Sequence, residues 1–243
     1  MYRYRLKNYM KGGSNNTKEI YFIRHGETEW NKLGMSQGSE ADIELNETGR
    51  KQALLTGKYL NKFRNNTPFD CILSSPMKRA YETCEIIAEQ IGFTGNIQQL
   101  GILRETGKGK FSGLKKDDPL KIKVKEKVAE IYDKIKDPIK IYEFDMEKYL
   151  NDELDLNMET YEEIMNRSKE IVKIIENLDC EKILIVSHSG ILMAIIKSML
   201  NLNWTPFGDM SGGDNCWISY IKYMDGKYKL ISPPDTQHLK LFK

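Results

Sequence analysis

The sequence predicts an α/β protein, a three-layer α/β/α sandwich with a mainly parallel central sheet and an inserted helical lid. Three observations carry this prediction. Short apolar runs rich in β-branched residues alternate with longer amphipathic segments. Two of those runs end directly in a histidine turn, Arg24-His25-Gly26 and Ser187-His188-Ser189. A lysine-rich stretch followed by an acidic one interrupts the alternation over residues 115–157.

Composition bounds the answer before any motif does. The chain has 243 residues, 40% hydrophobic, enough for one large domain over 19–243 with a real core. Its formal net charge of +2 gives no reason to expect nucleic acid or a membrane as partner. No apolar run approaches the roughly 20 residues of a membrane span. Residues 1–18 are basic and polar, with Gly12-Gly13-Ser14-Asn15-Asn16, and read as a flexible arm without the apolar core of a secretory signal. Cys71, Cys84, Cys180 and Cys216 are widely spaced and form no C-x-x-C pair. Buried free thiols in the cytoplasm are the expectation.

The elements follow in order. Ile20-Tyr21-Phe22-Ile23 is a buried strand, and Arg24-His25-Gly26 is the turn after it. A polar loop over 32–44 contains Gln37-Gly38. Asn46 is placed to cap a helix over 47–63, with Ala53, Leu54, Gly57 and Leu60 at helical spacing. Residues 69–73 form a second buried strand. Ser75 and Pro76 then read as N-cap and first residue of a helix ending at Gly92. A weaker strand over 96–102 leads through Leu103-Arg104-Glu105 into a glycine-rich loop.

The lid begins with a helix near Pro119 that Asp137-Pro138 should break, and its acidic half follows. The lid charges read as solvated faces. An amphipathic helix over 158–178 precedes the clearest strand, 181–186, and a further helix over 191–200. Asp225-Gly226 between two apolar runs signals a hairpin.

In parallel sheets, ligands bind beyond the carboxyl ends of the strands. His25, His188, Arg79 and Glu105 each follow a predicted strand, and Arg24 adjoins His25. A lone histidine or helical arginine is ordinarily structural. Two histidines, two arginines and a carboxylate on one rim suit phosphoryl transfer through a phosphohistidine. One imidazole attacks phosphorus, cations hold the equatorial oxygens, and a carboxyl group handles the leaving proton.

These residues also carry a resemblance to a known family. Arg24-His25-Gly26-Glu27-Thr28-Glu29-Trp30-Asn31 resembles the signature of the histidine phosphatase superfamily, the family of cofactor-dependent phosphoglycerate mutases and their phosphatase relatives. Residues 42–53, with Leu45, Gly49 and Gln52-Ala53, resemble its next segment. Ser74-Ser75-Pro76-Met77-Lys78-Arg79-Ala80 with Thr83 is similar to the block of the second arginine. Leu103-Arg104-Glu105 with Gly109 and Phe111-Ser112-Gly113 is similar to the acid loop. Val186-Ser187-His188-Ser189-Gly190 and His238-Leu239 resemble the second-histidine block and a structural tail.

The resemblance implies His25 as nucleophile and Glu105 as general acid and base. It implies Arg24, Arg79 and His188 around the phosphoryl group, with Asn31, Thr28, Gln37, Gly38 and Ser189 assisting. It implies no metal and no cofactor, and a phosphorylated small molecule as substrate, with a phosphoprotein as the second class. The sequence also departs from the family. Mutases carry Arg-His-Tyr after the catalytic glutamate, whereas Glu105 is followed by Thr106-Gly107-Lys108. Phe111-Ser112 replaces a tryptophan-acidic pair, and Met158-Glu159-Thr160 replaces Gly-Glu-Ser. The expectation is a phosphatase; the alternatives are a mutase and a catalytically idle binding or scaffold protein.

Overall fold

The computed structural model describes residues 17–63, 68–136, 144–202 and 213–241. Its centre is a six-stranded sheet in the order β3-β2-β4-β1-β5-β6. The strands are β1 (Thr17–Arg24), β2 (Cys71–Ser74), β3 (Ile97–Gln99), β4 (Lys182–Ser187), β5 (Ile218–Met224) and β6 (Lys227–Asp235). The first four in that spatial order run parallel. The hairpin β5–β6 closes one side antiparallel. The helices are α1 (Glu29–Lys32), α2 (Glu47–Phe63), α3 (Lys78–Gln90), α4 (Pro119–Ile135), α5 (Met146–Leu154), α6 (Tyr161–Glu176) and α7 (Ser189–Leu200).

The three layers follow from the alternation of side chains along each strand. Ile20, Phe22, Cys71, Leu73, Ile183 and Ile185 face α6 and α7, meeting Ile171, Ile175, Leu192 and Ile195. Their neighbours Ile23, Ile72, Leu184 and Val186 face the other way, onto Leu60 of α2 and Ile87 of α3. Both faces are covered, which is why these strands read as continuous apolar runs. Truncating a fully buried residue such as Ile185 to alanine should cost about 2–5 kcal/mol.

The lid has a core of its own. Val124, Val128 and Ile131 of α4 meet Met146 and Leu150 of α5, together with Phe111, Leu156 and Met158. Phe111 belongs to the loop that follows Glu105, so the lid's packing is continuous with that loop. Asp118 caps α4 by accepting from the Leu120 amide, and Pro119 occupies the first turn.

Several boundaries differ from the sequence expectation. Thr17 and Lys18, assigned to the arm, open β1, and the Lys18 ammonium donates to the carbonyls of Leu178 and Cys180. Residues 1–16 and the expected breaker Asp137-Pro138 lie outside the described residues. The helix expected from Ser75-Pro76 starts at Lys78. Ser75 instead stays in register with β4, its amide donating to Val186 O at 3.0 Å. The exposed Lys78 amide is capped from a distant loop by Asp42 Oδ1 at 2.8 Å. The helix expected over 158–178 begins at Tyr161, where Thr160 and Glu163 form a capping box. β3 is shorter than expected, because the chain turns into a 3-10 segment at Gly101–Leu103. The Asp225-Gly226 turn has positive φ at both residues, 51° and 77°, as a two-residue hairpin requires.

Candidate active site

Four chain reversals meet at the carboxyl ends of the parallel strands. His25 follows β1, Ser75 follows β2, His188 follows β4, and Glu105 follows the 3-10 turn after β3. The central position of β4 puts His188 between the other two turns. The His25 and His188 rings lie 5.1 Å apart, centroid to centroid.

Backbone bonds hold His25 on both sides. Its amide donates to Ser187 O at 2.9 Å, and its carbonyl accepts from the Cys216 amide at 3.2 Å. Asn215 Nδ2 reaches His25 O, Gly26 O and Asn31 Oδ1 at 3.1–3.2 Å. The imidazole is fixed through Nδ1, which lies 2.7 Å from Gly26 O. A carbonyl only accepts, so Nδ1 carries the proton and Nε2 keeps a lone pair. Burial holds the His25 pKa well below its ordinary value, and the cations Arg79 and Arg24 push it the same way.

Gly26 permits this turn. A Cβ there would meet Gly49 O at 2.5 Å, so the start of α2 lies directly on the histidine loop. The Gly26 amide donates to Thr83 Oγ1 on α3, which donates in turn to Arg79 O.

The cations come from two elements. Arg24 ends β1 and donates through Nη1 to Gly213 O. Arg79, fully buried on the first turn of α3, donates to Ala41 O at 2.8 Å and Gly38 O at 3.4 Å. Its Nε has no partner. Burial lowers the Arg79 pKa to about 10, and Glu105 and Asp42 oppose that shift. The group stays charged at neutral pH.

His188 is fully buried at the N-cap of α7. Its Nε2 lies 2.8 Å from Ser75 Oγ, whereas its Nδ1 has no partner. Burial holds its pKa well below the ordinary value, with Arg79 and His25 acting in the same direction. Ser189 follows as the first residue of α7, part-buried.

Glu105 is aimed at the start of the same helix. Oε1 accepts from the Thr106 amide at 2.8 Å and the Ile191 amide at 3.2 Å, and Oε2 accepts from the Gly190 amide at 3.3 Å. The Gly190 and Ile191 amides are ones that a helix start leaves without internal partners. The bonds set the carboxylate's position relative to His188.

The α1 segment organises the remaining residues. Thr28 caps it, and Thr28 with Asn31 forms a capping box. Thr28 Oγ1 accepts from the Asn31 amide and from Gln37 Nε2, so this hydroxyl is occupied as a structural node. Asn31 receives three bonds at Oδ1, from the Thr28 amide, Thr28 Oγ1 and Asn215. Its NH2 is the end left to donate. Gln37 Oε1 is buried without a partner.

The structure thus brings His25, Arg24, Arg79, His188 and Glu105 to one rim, with Asn31, Thr28, Gln37, Gly38 and Ser189 around them. Sequence reasoning missed Asn215 and the role of Ser75, which was read only as a helix cap. Among the described residues no three His, Cys, Asp or Glu side chains stand together as a metal site. No helix there is long and apolar enough to cross a membrane. Glu105 also borders a cleft of about 440 Å3 with Arg104, Glu159 and Arg167, but His25 does not line it. That cleft therefore adjoins the rim at Glu105.

The family profile described as histidine phosphatase superfamily (branch 1) matches residues 20–236. The chain belongs to that superfamily. An uncharacterized phosphatase PhoE of Bacillus subtilis (strain 168) is 29% identical over 92% of this chain and 97% of its own length. A metal-independent phosphoserine phosphatase of Arabidopsis thaliana is 28% identical over 91% and 83% respectively. Among solved structures, a phosphoglycerate mutase from Bacillus anthracis aligns with a TM-score of 0.72 at 25% identity, covering 93% of this chain and 96% of that one. The superfamily to which the chain belongs therefore includes both phosphatases and mutases.

Proposed function

We propose that the protein hydrolyses phosphomonoesters of small metabolites through a phosphohistidine at His25. The observation that carries this reading is the Nδ1 contact to Gly26 O, which leaves the Nε2 lone pair beside Arg24 and Arg79. Neutral imidazole is a competent nucleophile, and the arginines supply the positive charge that transferring phosphoryl oxygens need.

In the first step Nε2 attacks phosphorus and the phosphorus–oxygen bond to the leaving group breaks. Glu105, in its protonated form, gives that oxygen its proton. In the second step Glu105 takes a proton from water as the water attacks phosphorus. The nitrogen–phosphorus bond breaks and inorganic phosphate leaves. Arg24, Arg79 and His188 hold the equatorial oxygens through both steps. Asn31 adds its NH2, while Thr28 and Gln37 brace that residue; Gly38 positions Arg79 and Ser189 lines the start of α7.

The deciding experiment is rapid quenching with labelled substrate. Acid-labile, base-stable label on the wild-type chain and none on His25→Ala is the expected result. Turnover without such label would rule out the covalent route.

The second reading is a mutase, favoured by the likeness to the B. anthracis phosphoglycerate mutase. Against it stands the segment after Glu105, where Thr106 Oγ1 turns back onto its own neighbour's carboxylate. Interconversion of phosphoglycerate isomers faster than phosphate release would establish the mutase.

A further inference from the structure

One ion pair behind the rim holds the backbone on both sides of Glu105. Arg167 lies on α6, and Glu159 stands just before the Thr160 cap of that helix. The guanidinium grips the carboxylate with two bonds, Nε to Oε1 at 2.8 Å and Nη2 to Oε2 at 2.6 Å. Its remaining nitrogen, Nη1, donates to Ile102 O at 3.0 Å and to Arg104 O at 2.6 Å. Glu159 Oε2 also accepts from the Gly107 amide at 2.9 Å, and the Glu159 amide donates to Gly107 O at 3.1 Å. The chain is thus fastened at 102, 104 and 107, with Glu105 inside that span.

The acid loop needs such fastening because one side of it faces open space. On its inner side it is tied to β4, where Ser187 Oγ donates to Leu103 O at 2.5 Å. On its outer side Glu105, Gly107, Glu159 and Arg167 all border the cleft of about 440 Å3. The bonds from α7 to the Glu105 carboxylate are long, 3.2 Å from the Ile191 amide and 3.3 Å from the Gly190 amide. Its short bond, 2.8 Å, comes from the Thr106 amide of the same loop and moves with it. The carboxylate is therefore aimed largely by the backbone that carries it. The Arg167 and Glu159 side chains are only 17% and 19% exposed, which spares the pair much of the screening that weakens surface ion pairs.

We propose that Arg167, paired with Glu159, is a positioning residue for the general acid: it fixes the direction of the Glu105 carboxylate and so sets the efficiency of proton transfer to the leaving group. The inference rests on the phosphatase reading above, with Glu105 as proton donor and then as base. All three nitrogens of Arg167 are spent on protein atoms, so it acts through Glu105 and not on the substrate. Losing the fork frees two carbonyls and leaves Glu159 without the partner that aims it at Gly107. The loop can then relax toward the cleft. A misplacement of about 1 Å at a reacting group costs about 100-fold, and it is felt only in steps that use that group.

The test uses two variants, and either one carries it should the other fail to fold. Arg167→Lys keeps the charge but not the planar fork. Glu159→Gln keeps the size but not the charge. Phospho-His25 formation is followed in single turnovers with glycerol 2-phosphate and with p-nitrophenyl phosphate, beside wild type and Glu105→Gln. The alkyl leaving group needs a proton, and nitrophenolate leaves readily without one. Each variant should slow the reaction of glycerol 2-phosphate by about 30- to 100-fold and that of p-nitrophenyl phosphate by less than about threefold. The substrate concentration giving half the maximal single-turnover rate should stay within about twofold, because the groups that hold the phosphoryl oxygens are untouched. Adding either substitution to Glu105→Gln should cost little more with glycerol 2-phosphate, since both act through one carboxylate. Equal losses for the two leaving groups are the signature of a merely structural role and overturn the proposal. Losses that multiply with Glu105→Gln, or full activity in the variants, overturn it too. Failure of the underlying phosphatase reading looks different: Glu105→Gln itself would then not distinguish the leaving groups, or hydrolysis of p-nitrophenyl phosphate would survive His25→Ala.

Discussion

His25 Nδ1 and the carbonyl oxygen of Gly26 lie 2.7 Å apart, and this contact leaves Nε2 as the ring nitrogen with the lone pair. Burial and two arginines keep the ring neutral, so the lone pair on Nε2 persists below the pH at which an ordinary histidine is protonated. The rate of the first chemical step should therefore show no inflection near the unperturbed value of about 6.5. Single-turnover formation of phospho-His25 at pH 5.5 and 7.5 checks this. A loss following a pKa near 6.5 would mean that the ring is solvated and ordinary.

The same two histidines make stability depend on pH. His25 and His188 both have lowered pKa values in the folded protein. Below about pH 6.5 the unfolded chain binds protons that the native state does not. Their contribution to stability is fully present above that pH and falls as the solution is acidified toward their folded values. The melting temperature should fall between pH 7 and pH 5. In His188→Asn, which removes one of the two groups, the fall should be smaller.

Arg79 and Lys78 are neighbours on one helix with opposite surroundings. Arg79 is fully buried at the rim, whereas the Lys78 side chain is 57% exposed and paired with Glu44 at the surface. Removing a donor aimed at transition-state charge typically costs about 100- to 1000-fold in turnover. Arg79→Ala should lose that much and Lys78→Ala less than about twofold, measured as kcat on p-nitrophenyl phosphate. Similar losses for both would mean that Arg79 does not act on the phosphoryl group.

Glu147 offers a stability experiment independent of substrate. Glu147 is buried on the first turn of α5, and burial, aided by Asp145, raises its pKa from 4.5 to about 7, while a hydrogen bond from its own backbone and, less strongly, Lys108 oppose the shift. Its carboxyl oxygens therefore hold a proton in the folded state that the unfolded chain has already released. That difference lowers stability progressively from about pH 4.5 to pH 7, and the full penalty, about 3 kcal/mol at most, persists above. Glu147→Gln should raise the melting temperature by several degrees at pH 8 and change it little at pH 4. A destabilised variant at pH 8 would show that the backbone hydrogen bond and Lys108 together more than offset the burial cost.

What could be read in the sequence follows physical locality. Lys182-Ile183-Leu184-Ile185-Val186 was legible because both faces of β4 are covered, which demands an unbroken apolar run. Asn46 was legible because a cap bond spans three residues; its Oδ1 accepts from the Gly49 amide at 2.8 Å. Ser75 misled because its pattern is that of a helix start. The competing partners, Val186 O and His188 Nε2, are more than 100 residues away in the chain. Asn215 gave no signal, since it lies in a short polar turn and acts on backbone oxygens nearly 190 residues earlier. Glu147 was hidden in an acidic run whose other members include exposed Asp152 and Glu153. Composition cannot tell one buried carboxylate from its solvated neighbours.

Gly190 and Glu105 provide the sharpest test of the acid's role. A Cβ on Gly190 would stand 2.5 Å from Glu105 Oε1 and 2.9 Å from Thr106 Oγ1. Gly190→Ala must therefore displace the carboxylate while leaving the carboxyl group in the chain. If Glu105 protonates the leaving oxygen, the harm should depend on how badly that oxygen needs a proton. An alkoxide leaves poorly without one; p-nitrophenolate leaves readily. Gly190→Ala should slow phospho-His25 formation by about 100-fold with an alkyl or amino acid phosphate, and only a few-fold with p-nitrophenyl phosphate. Breakdown of phospho-His25 should slow whatever the leaving group, because water then loses its base. The variant should consequently release a burst of nitrophenolate before a slow steady rate. Glu105→Gln should behave in the same way. Adding Gly190→Ala to Glu105→Gln should cost little more, since both act through one carboxylate. Losses that multiply in the double variant, or that are equal for the two leaving groups, would place the proton donor elsewhere.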